Sequence, residues 1–382
     1  MTSSSSVDLR RMRVDQVGSL LRPLNLKEMF AKHARSEVNE DELRQAQDDS
    51  IRHVIAKQEA HQLPIVTDGE FRRTNFMESF SLVAGVEEWQ TGVKTYHNIL
   101  ARQDRGEAQQ QKGQDPILLN RKRVTQPLRL IHNRLLDDFR FAQDLTSRPV
   151  KVALISPDRI TQCFDSENSR SIYPTVDEFL TDVVSVERTI IAQLAEAGCR
   201  YVGIDGPGYT AYVDGPSIEA MRARGEDPNA NMERSIQADN QIIAGFPGVT
   251  FGLHMCRGNR QSMWHREGSY DAIAERLFNG LKHQRLLLEY DTKRAGSFEP
   301  LRFVPKGKIV VLGLITTKVG HTETVDELLR RIEEASRYLP VAQLALSPQC
   351  GFASSIMGNL LTEDEEFRKL DVMLETAAKV WG

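Results

Sequence analysis

Residues 249–256 read Val-Thr-Phe-Gly-Leu-His-Met-Cys, an apolar run that stops on an imidazole and a thiol two positions apart. Successive side chains of a strand point to opposite faces, so His254 and Cys256 share a side and converge. A nearly continuous apolar run is the signature of a parallel strand covered on both faces. Seven more runs of this kind occur, at Val14–Leu20, Leu63–Thr67, Val150–Ile155, Arg200–Asp205, Leu286–Tyr290, Ile309–Ile315 and Leu344–Ser347. Between them lie amphipathic helix candidates. Thr175–Ala197 and Thr324–Tyr338 both open Thr-Val-Asp-Glu, and Thr362–Val380 opens Thr-Glu-Asp-Glu, each a capping signal. Ser269–His283 follows a glycine. Alternating β and α with eight strands predicts an α/β fold, a (β/α)8 TIM barrel. A doubly wound open sheet is the alternative, but no glycine-rich phosphate loop follows the first strand.

One interval breaks the rhythm. Gly69 to Pro149 is far longer than an ordinary helix connection, and its Gln103–Asp115 stretch is Gln-rich and charged. It predicts an insertion over about 87–149 between strands two and three, on the face where barrel active sites sit. The predicted organisation is a flexible tail over 1–13 and one barrel over 14–382.

The placement rule then picks out polar residues at strand ends: Ser19, Glu70, Asp205, His254, Cys256, Glu289 and Cys350. His254, Cys256, Glu289 and Cys350 offer an imidazole, two thiolates and a carboxylate, a donor set that suits Zn²⁺. Cys163 and Cys199 read as small buried hydrophobes.

Four segments carry a resemblance: Asp15–Pro23, Thr67–Thr74 (TDGEFRRT), His254–Asn259 (HMCRGN) and Leu346–Ser354 (LSPQCGFAS). They resemble the cobalamin-independent methionine synthase family, and more closely its short, single-barrel members. The likeness covers nearly all the chain. It implies a zinc site at His254, Cys256, Glu289 and Cys350, where a homocysteine thiolate takes a methyl group from methyltetrahydrofolate. It implies further that Ser19 contacts the amino acid's carboxylate while Glu70 and Asp205 hold its ammonium. Glu289 would loosen to admit the thiol.

The departures from the family pattern concern the methyl donor. Where the family carries an acid after the strand-four aspartate, this chain has Gly206, and a later acidic position aligns with Ala211. Thr316-Thr317-Lys318 replaces a histidine after strand seven, with His321 nearby, so Lys318 and His321 are the candidates for assisting the leaving group. Tyr209, Tyr212 and Trp264 are candidates for stacking on a donor. A folate or a methylated corrinoid both remain open as that donor.

Two other readings stand beside this one. An epoxide–thiol transferase resembling the epoxyalkane:coenzyme M transferases would want a basic pocket, to which Arg72, Arg73 and Arg257 could contribute. A non-catalytic zinc-binding barrel would need only the metal ligands. Uroporphyrinogen decarboxylase shares the barrel but has no use for the His-Cys-Glu-Cys set.

Composition narrows the partners. Lys and Arg number 49 against 53 Asp and Glu, a net charge of −4, so a nucleic-acid partner is not expected. No apolar run is long enough for a membrane span. Four scattered cysteines do not form a disulfide framework, which with the polar N-terminus predicts a cytoplasmic protein. The oligomeric state stays open, a homo-oligomer included.

Overall fold

The computed structural model describes residues 8–86 and 123–382. Two long helices come first, α1 (Leu24–Ala34) and α2 (Glu40–Ala60). A short antiparallel ribbon follows, β1 (Val83–Ala84) against β2 (Arg129–Leu130), and then α3 (Arg134–Asp144). Residues 87–122 of the expected insertion lie outside the described residues.

Six parallel strands then pair in chain order: β3 (Lys151–Ile155), β4 (Tyr201–Asp205), β5 (Thr250–Met255), β6 (Arg285–Glu289), β7 (Ile309–Ile315) and β8 (Leu344–Pro348). Between them come α4 (Pro157–Gln162), α5 (Val176–Glu196), α6 (Gly215–Ala223), α7 (Pro228–Ile243), α8 (Ala274–Gly280) and α9 (Val325–Ser336), and α10 (Glu363–Trp381) closes the chain. This is the expected (β/α)8 barrel, with its helices outside and its strand ends forming one mouth. The capping signals fall where the sequence put them. Thr175 caps α5, and capping boxes start α9 (Thr324 with Glu327) and α10 (Thr362 with Glu365). Where one helix was expected over Ser269–His283, a 3₁₀ turn at Tyr270–Ala272 precedes the short α8.

The first two expected strands differ from the rest. Val14–Leu20 and Leu63–Thr67 keep only single parallel bridges, Val14 to Leu346 and Val66 to Val150. Side chains supply the missing ladder. Gln58 on α2 accepts from the Thr67 amide at 3.0 Å and donates to the Thr67 carbonyl at 2.8 Å, and Gln16 donates to Ile65 O at 3.1 Å. Between these two segments one backbone bond is made, from Leu20 N to Gly69 O at 3.1 Å.

The floor of the barrel is polar. Asp15 receives Lys151 Nζ at 2.9 Å, Arg285 Nε at 2.9 Å and the Tyr201 hydroxyl at 2.5 Å. A Cβ on Gly203 would sit 2.8 Å from the Lys151 stem, and one on Gly252 would sit 2.7 Å from the Tyr201 hydroxyl. Those two glycines make room for the cluster. Within the predicted tail, Leu9 and Met12 are buried with Ile65 and Tyr201, and Arg285 donates to the Leu9 and Arg10 carbonyls. The expected flexibility over 1–13 therefore does not extend to residues 8–13, because apolar side chains there cover the floor. Among the described residues, no helix is long and apolar enough to cross a membrane.

Candidate metal centre and thiol pocket

β5 delivers His254 and, one residue past its end, Cys256; the turn after β8 delivers Cys350. One donor atom from each of the three lies within 4.8 Å of the others, and all three residues are buried. The two sulfurs are 3.5 Å apart. That contact, then His254, pulls the Cys256 pKa well down, and the same contact pushes Cys350 well up. Burial disfavours protonated His254, but Cys256 and Asp205 outweigh it and raise its pKa. His254 Nε2 is buried with no hydrogen-bond partner. An orphaned imidazole nitrogen beside two sulfurs is costly unless something fills the site, and the donor chemistry fits Zn²⁺.

Glu289 ends β6 in the same mouth but lies outside that three-residue group. Arg294 holds one of its oxygens, with Nε at 3.0 Å, and the Arg257 amide holds the other at 3.0 Å.

Around the rim the remaining strand-end residues meet in sequence. Ser19 O accepts from Phe352 N at 2.9 Å, and a Cβ on Gly351 would lie 1.9 Å from the Ser19 hydroxyl. Ser19 is therefore pressed against the Cys350 turn. Gly69 and Glu70 both take left-handed φ angles, 67° and 61°. That conformation is uncommon for a glutamate and marks a backbone held for a purpose. Glu70 is buried, which raises its pKa against the pull of Arg73 and Arg22; its Oε2 accepts no hydrogen bond and faces Arg73 Nη1 at 3.8 Å. Asp205 sits beside His254 in the β4–β5 register. Burial pushes its carboxyl up to about 7, and its Oδ1 is also unpartnered.

Other expected residues fare differently. Tyr209 is fully buried with its hydroxyl 2.6 Å from Asp239, so it cannot stack on a donor; Tyr212 is buried too, facing Asp158 and Ser235. The 3₁₀ turn Pro207–Tyr212 turns both rings into the wall. Trp264 is half-buried, with the Arg294 guanidinium 5.8 Å from its ring. His321 is exposed, its carbonyl receiving Lys369. Lys318 is fully buried, donating to Gly258 O at 2.8 Å and Asn259 Oδ1 at 3.1 Å. Arg72 is taken by Asp48 at 2.5 Å and Asp138 at 2.9 Å, which removes it from any sulfonate pocket.

Three residues have contacts that the sequence did not show. Asn259 and Asn359 clasp the Cys256 and Cys350 loops together: Asn259 donates to Gly351 O at 2.6 Å, and Asn359 donates to Asn259 Oδ1 at 2.8 Å. Gln349, with its amide nitrogen facing Glu289, donates to that carboxylate at 2.8 and 3.0 Å. Asn259 and Gln349 stand inside the quoted motifs, so their positions beside metal ligands were the available signal. Asn359 gave none.

The catalytic-domain profile of the cobalamin-independent synthases matches residues 14–379. YxjH of Bacillus subtilis, a protein of uncharacterized function, is 35% identical over 97% of this chain and 94% of its own. The methionine synthase of Pyrococcus abyssi is 23% identical over 88% of this chain and 84% of its own. A crystal structure from Listeria monocytogenes, assigned provisionally to the vitamin-B12-independent methionine synthases, superposes with a TM-score of 0.72 at 26% identity, covering 97% of this chain and 98% of that one. A Shewanella B12-independent methionine synthase, solved with selenomethionine, shares the fold with a TM-score of 0.66 at 18% identity, covering 96% and 97%.

Proposed function

This chain belongs to the cobalamin-independent synthase catalytic-domain family, and from that premise we propose that it is a zinc-dependent alkyltransferase moving a methyl group onto a thiol, homocysteine first. The observation that carries the reading is the buried, partnerless His254 nitrogen beside the Cys256–Cys350 sulfur pair. His254, Cys256 and Cys350 would hold the metal. Zinc bound there would keep an incoming thiol deprotonated at neutral pH while leaving it nucleophilic.

The chain's own groups account for the rest. Asp205 and Glu70 present two buried carboxylates, each with an oxygen that accepts no hydrogen bond, an arrangement that binds an ammonium group. Ser19, wedged against Gly351, offers a hydroxyl to a carboxylate. Lys318 fixes the Gly258–Asn259 turn and brings a positive charge toward the sulfurs, which offsets a thiolate-rich site. The thiol proton leaves to solvent, the sulfur–carbon bond forms, and the carrier–carbon bond breaks with its electron pair left on the carrier, an amine carrier taking up a proton. With Gly206 and Ala211 in place of acids and Tyr209 buried, this chain lacks those contacts for a pterin, so the carrier is a folate held differently, a methylated corrinoid protein or another methyl compound.

The test is elemental zinc analysis together with Co²⁺-substituted spectra, recorded with and without homocysteine. One metal per chain and a homocysteine-dependent thiolate band are expected. Cys256→Ser should lose both with the fold intact. A metal-free protein, or a Cys256→Ser variant with full activity, would sink the proposal.

A further inference from the structure

Two arginines gather over the ends of β3, β4 and β5. Arg159 stands on α4, which follows β3, and Arg266 in the loop between β5 and α8. The turn after β4 lies between them. Arg266 Nη1 donates to Pro207 O in that turn, and a Cβ on Gly208 would sit 1.5 Å from Oδ2 of Asp158, the neighbour of Arg159. Arg159 is 4% exposed; its Nη1 donates to Gln162 Oε1 at 3.1 Å and its Nε makes no hydrogen bond. Among the described residues, both guanidiniums therefore donate only to uncharged oxygens. Arg72 and Arg294, by contrast, are each bonded to two carboxylates.

The acids at hand are engaged elsewhere. Asp158 receives the Ser235 hydroxyl at 2.5 Å and Gln162 at 2.9 Å, while Asp214 caps α6 through Ser217 at 3.1 and 2.6 Å. Burial and then the like charge of Arg159 bring Arg266 down to about 10, so it stays cationic at neutral pH. Buried charge without a counter-ion is costly, and a guanidinium does not escape the cost by losing its proton. Its fork fits the two oxygens of a carboxylate or phosphate. Both arginines also lie within electrostatic reach of the reacting groups, Arg159 acting on Asp205 and the Cys256 thiolate on Arg266.

We propose that Arg159 and Arg266 form a subsite for an oxyanion, a carboxylate or phosphate, carried by a small alkyl donor. Ser19, the group offered to the acceptor's carboxylate, is pressed instead against the Cys350 turn after β8. The inference rests on the alkyltransferase reading and goes further by giving the donor's class: a small molecule with an anionic end, in place of a neutral methyl compound or a carrier protein.

The experiment titrates inorganic phosphate into the full chain, with and without bound Co²⁺, by isothermal calorimetry at fixed ionic strength. Wild type, Arg159→Gln, Arg266→Gln and Arg159→Lys are compared. Wild type is expected to bind one phosphate, each Gln variant about tenfold or more weakly, and Arg159→Lys in between, because it keeps the charge and loses the fork. No phosphate on wild type, or wild-type affinity in a folded Gln variant, overturns the proposal; each arginine reads the question should the other variant fail to fold. Homocysteine is then titrated against the Co²⁺ spectrum with and without saturating phosphate. An unmoved midpoint supports a donor subsite. A midpoint raised about tenfold would give the arginines to the acceptor's own carboxylate and overturn the donor assignment. A chain that takes up no Co²⁺ yet binds phosphate through both arginines sinks the zinc reading and leaves the oxyanion subsite standing.

Discussion

The two ends of the barrel interior are both rich in buried charge, and they use it in opposite ways. At the floor, both Asp15 oxygens are bonded, to Lys151, Arg285 and Tyr201. At the mouth, Asp205, Glu70 and His254 each bury a polar atom that makes no hydrogen bond, Glu70 having only the Arg73 guanidinium at 3.8 Å. A buried polar atom left unmet costs about 1–3 kcal/mol. The floor leaves such atoms too, Arg285 Nη2 among them, but its carboxylate is fully met by cations of the same chain; the mouth leaves two carboxylate oxygens and an imidazole nitrogen without a hydrogen bond.

Substitutions at the two ends should therefore separate stability from function. The largest effect on stability is expected for Asp15→Ala, which leaves Lys151 and Arg285 buried without their counter-charge. A loss of about 3–5 kcal/mol, read by chemical denaturation, is the expectation. A loss under about 1 kcal/mol would mean that the floor cluster is ornamental. Asp205→Asn should do the reverse. Stability holds or rises, zinc content is unchanged, and the apparent KM for an amino-acid thiol rises roughly 10- to 100-fold through the lost charged contact. An unaltered KM would point to an acceptor with no amino group.

The third substitution concerns Glu366 on α10, an intermediate case read as a slope against pH. It is buried and accepts only the Leu21 amide, at 3.2 and 3.4 Å, and burial lifts its carboxyl to about 8. The folded chain keeps this proton while the unfolded chain releases it near 4.5. The unfolded state thus binds fewer protons between those values, and stability should fall as pH rises from about 4.5 to about 8. Glu366→Gln should flatten that part of the pH–stability curve; an identical slope in the variant would show that Glu366 does not cause it.

The barrel and most of its mouth were legible because they rest on patterns a sequence displays: apolar runs with polar ends, and capping residues before helices. Six of eight strands pair as ladders. The two that do not are the ones whose pairing passes to Gln16 and Gln58, and no periodicity announces that a side-chain amide will stand in for a backbone. Tyr209 misled for a related reason. Its place after a strand end suggested a ligand, but the 3₁₀ turn aims the ring at Asp239. Arg294 was invisible because its pairing with Glu289 and Asp291 is a matter of three-dimensional contact.

The wall between the first two barrel positions has a further consequence. Leu20 N to Gly69 O is the backbone bond that crosses it, assisted by Thr67 to Gly18 and by the two glutamines. It is a seam, and Ser19 and Glu70 stand on its opposite edges. An amino acid whose carboxylate meets one and whose ammonium meets the other would stitch the two edges together. In that case acceptor binding doubles as a clasp on the cylinder, and the amide protons of Leu20 and Thr67 would exchange with solvent more slowly in its presence.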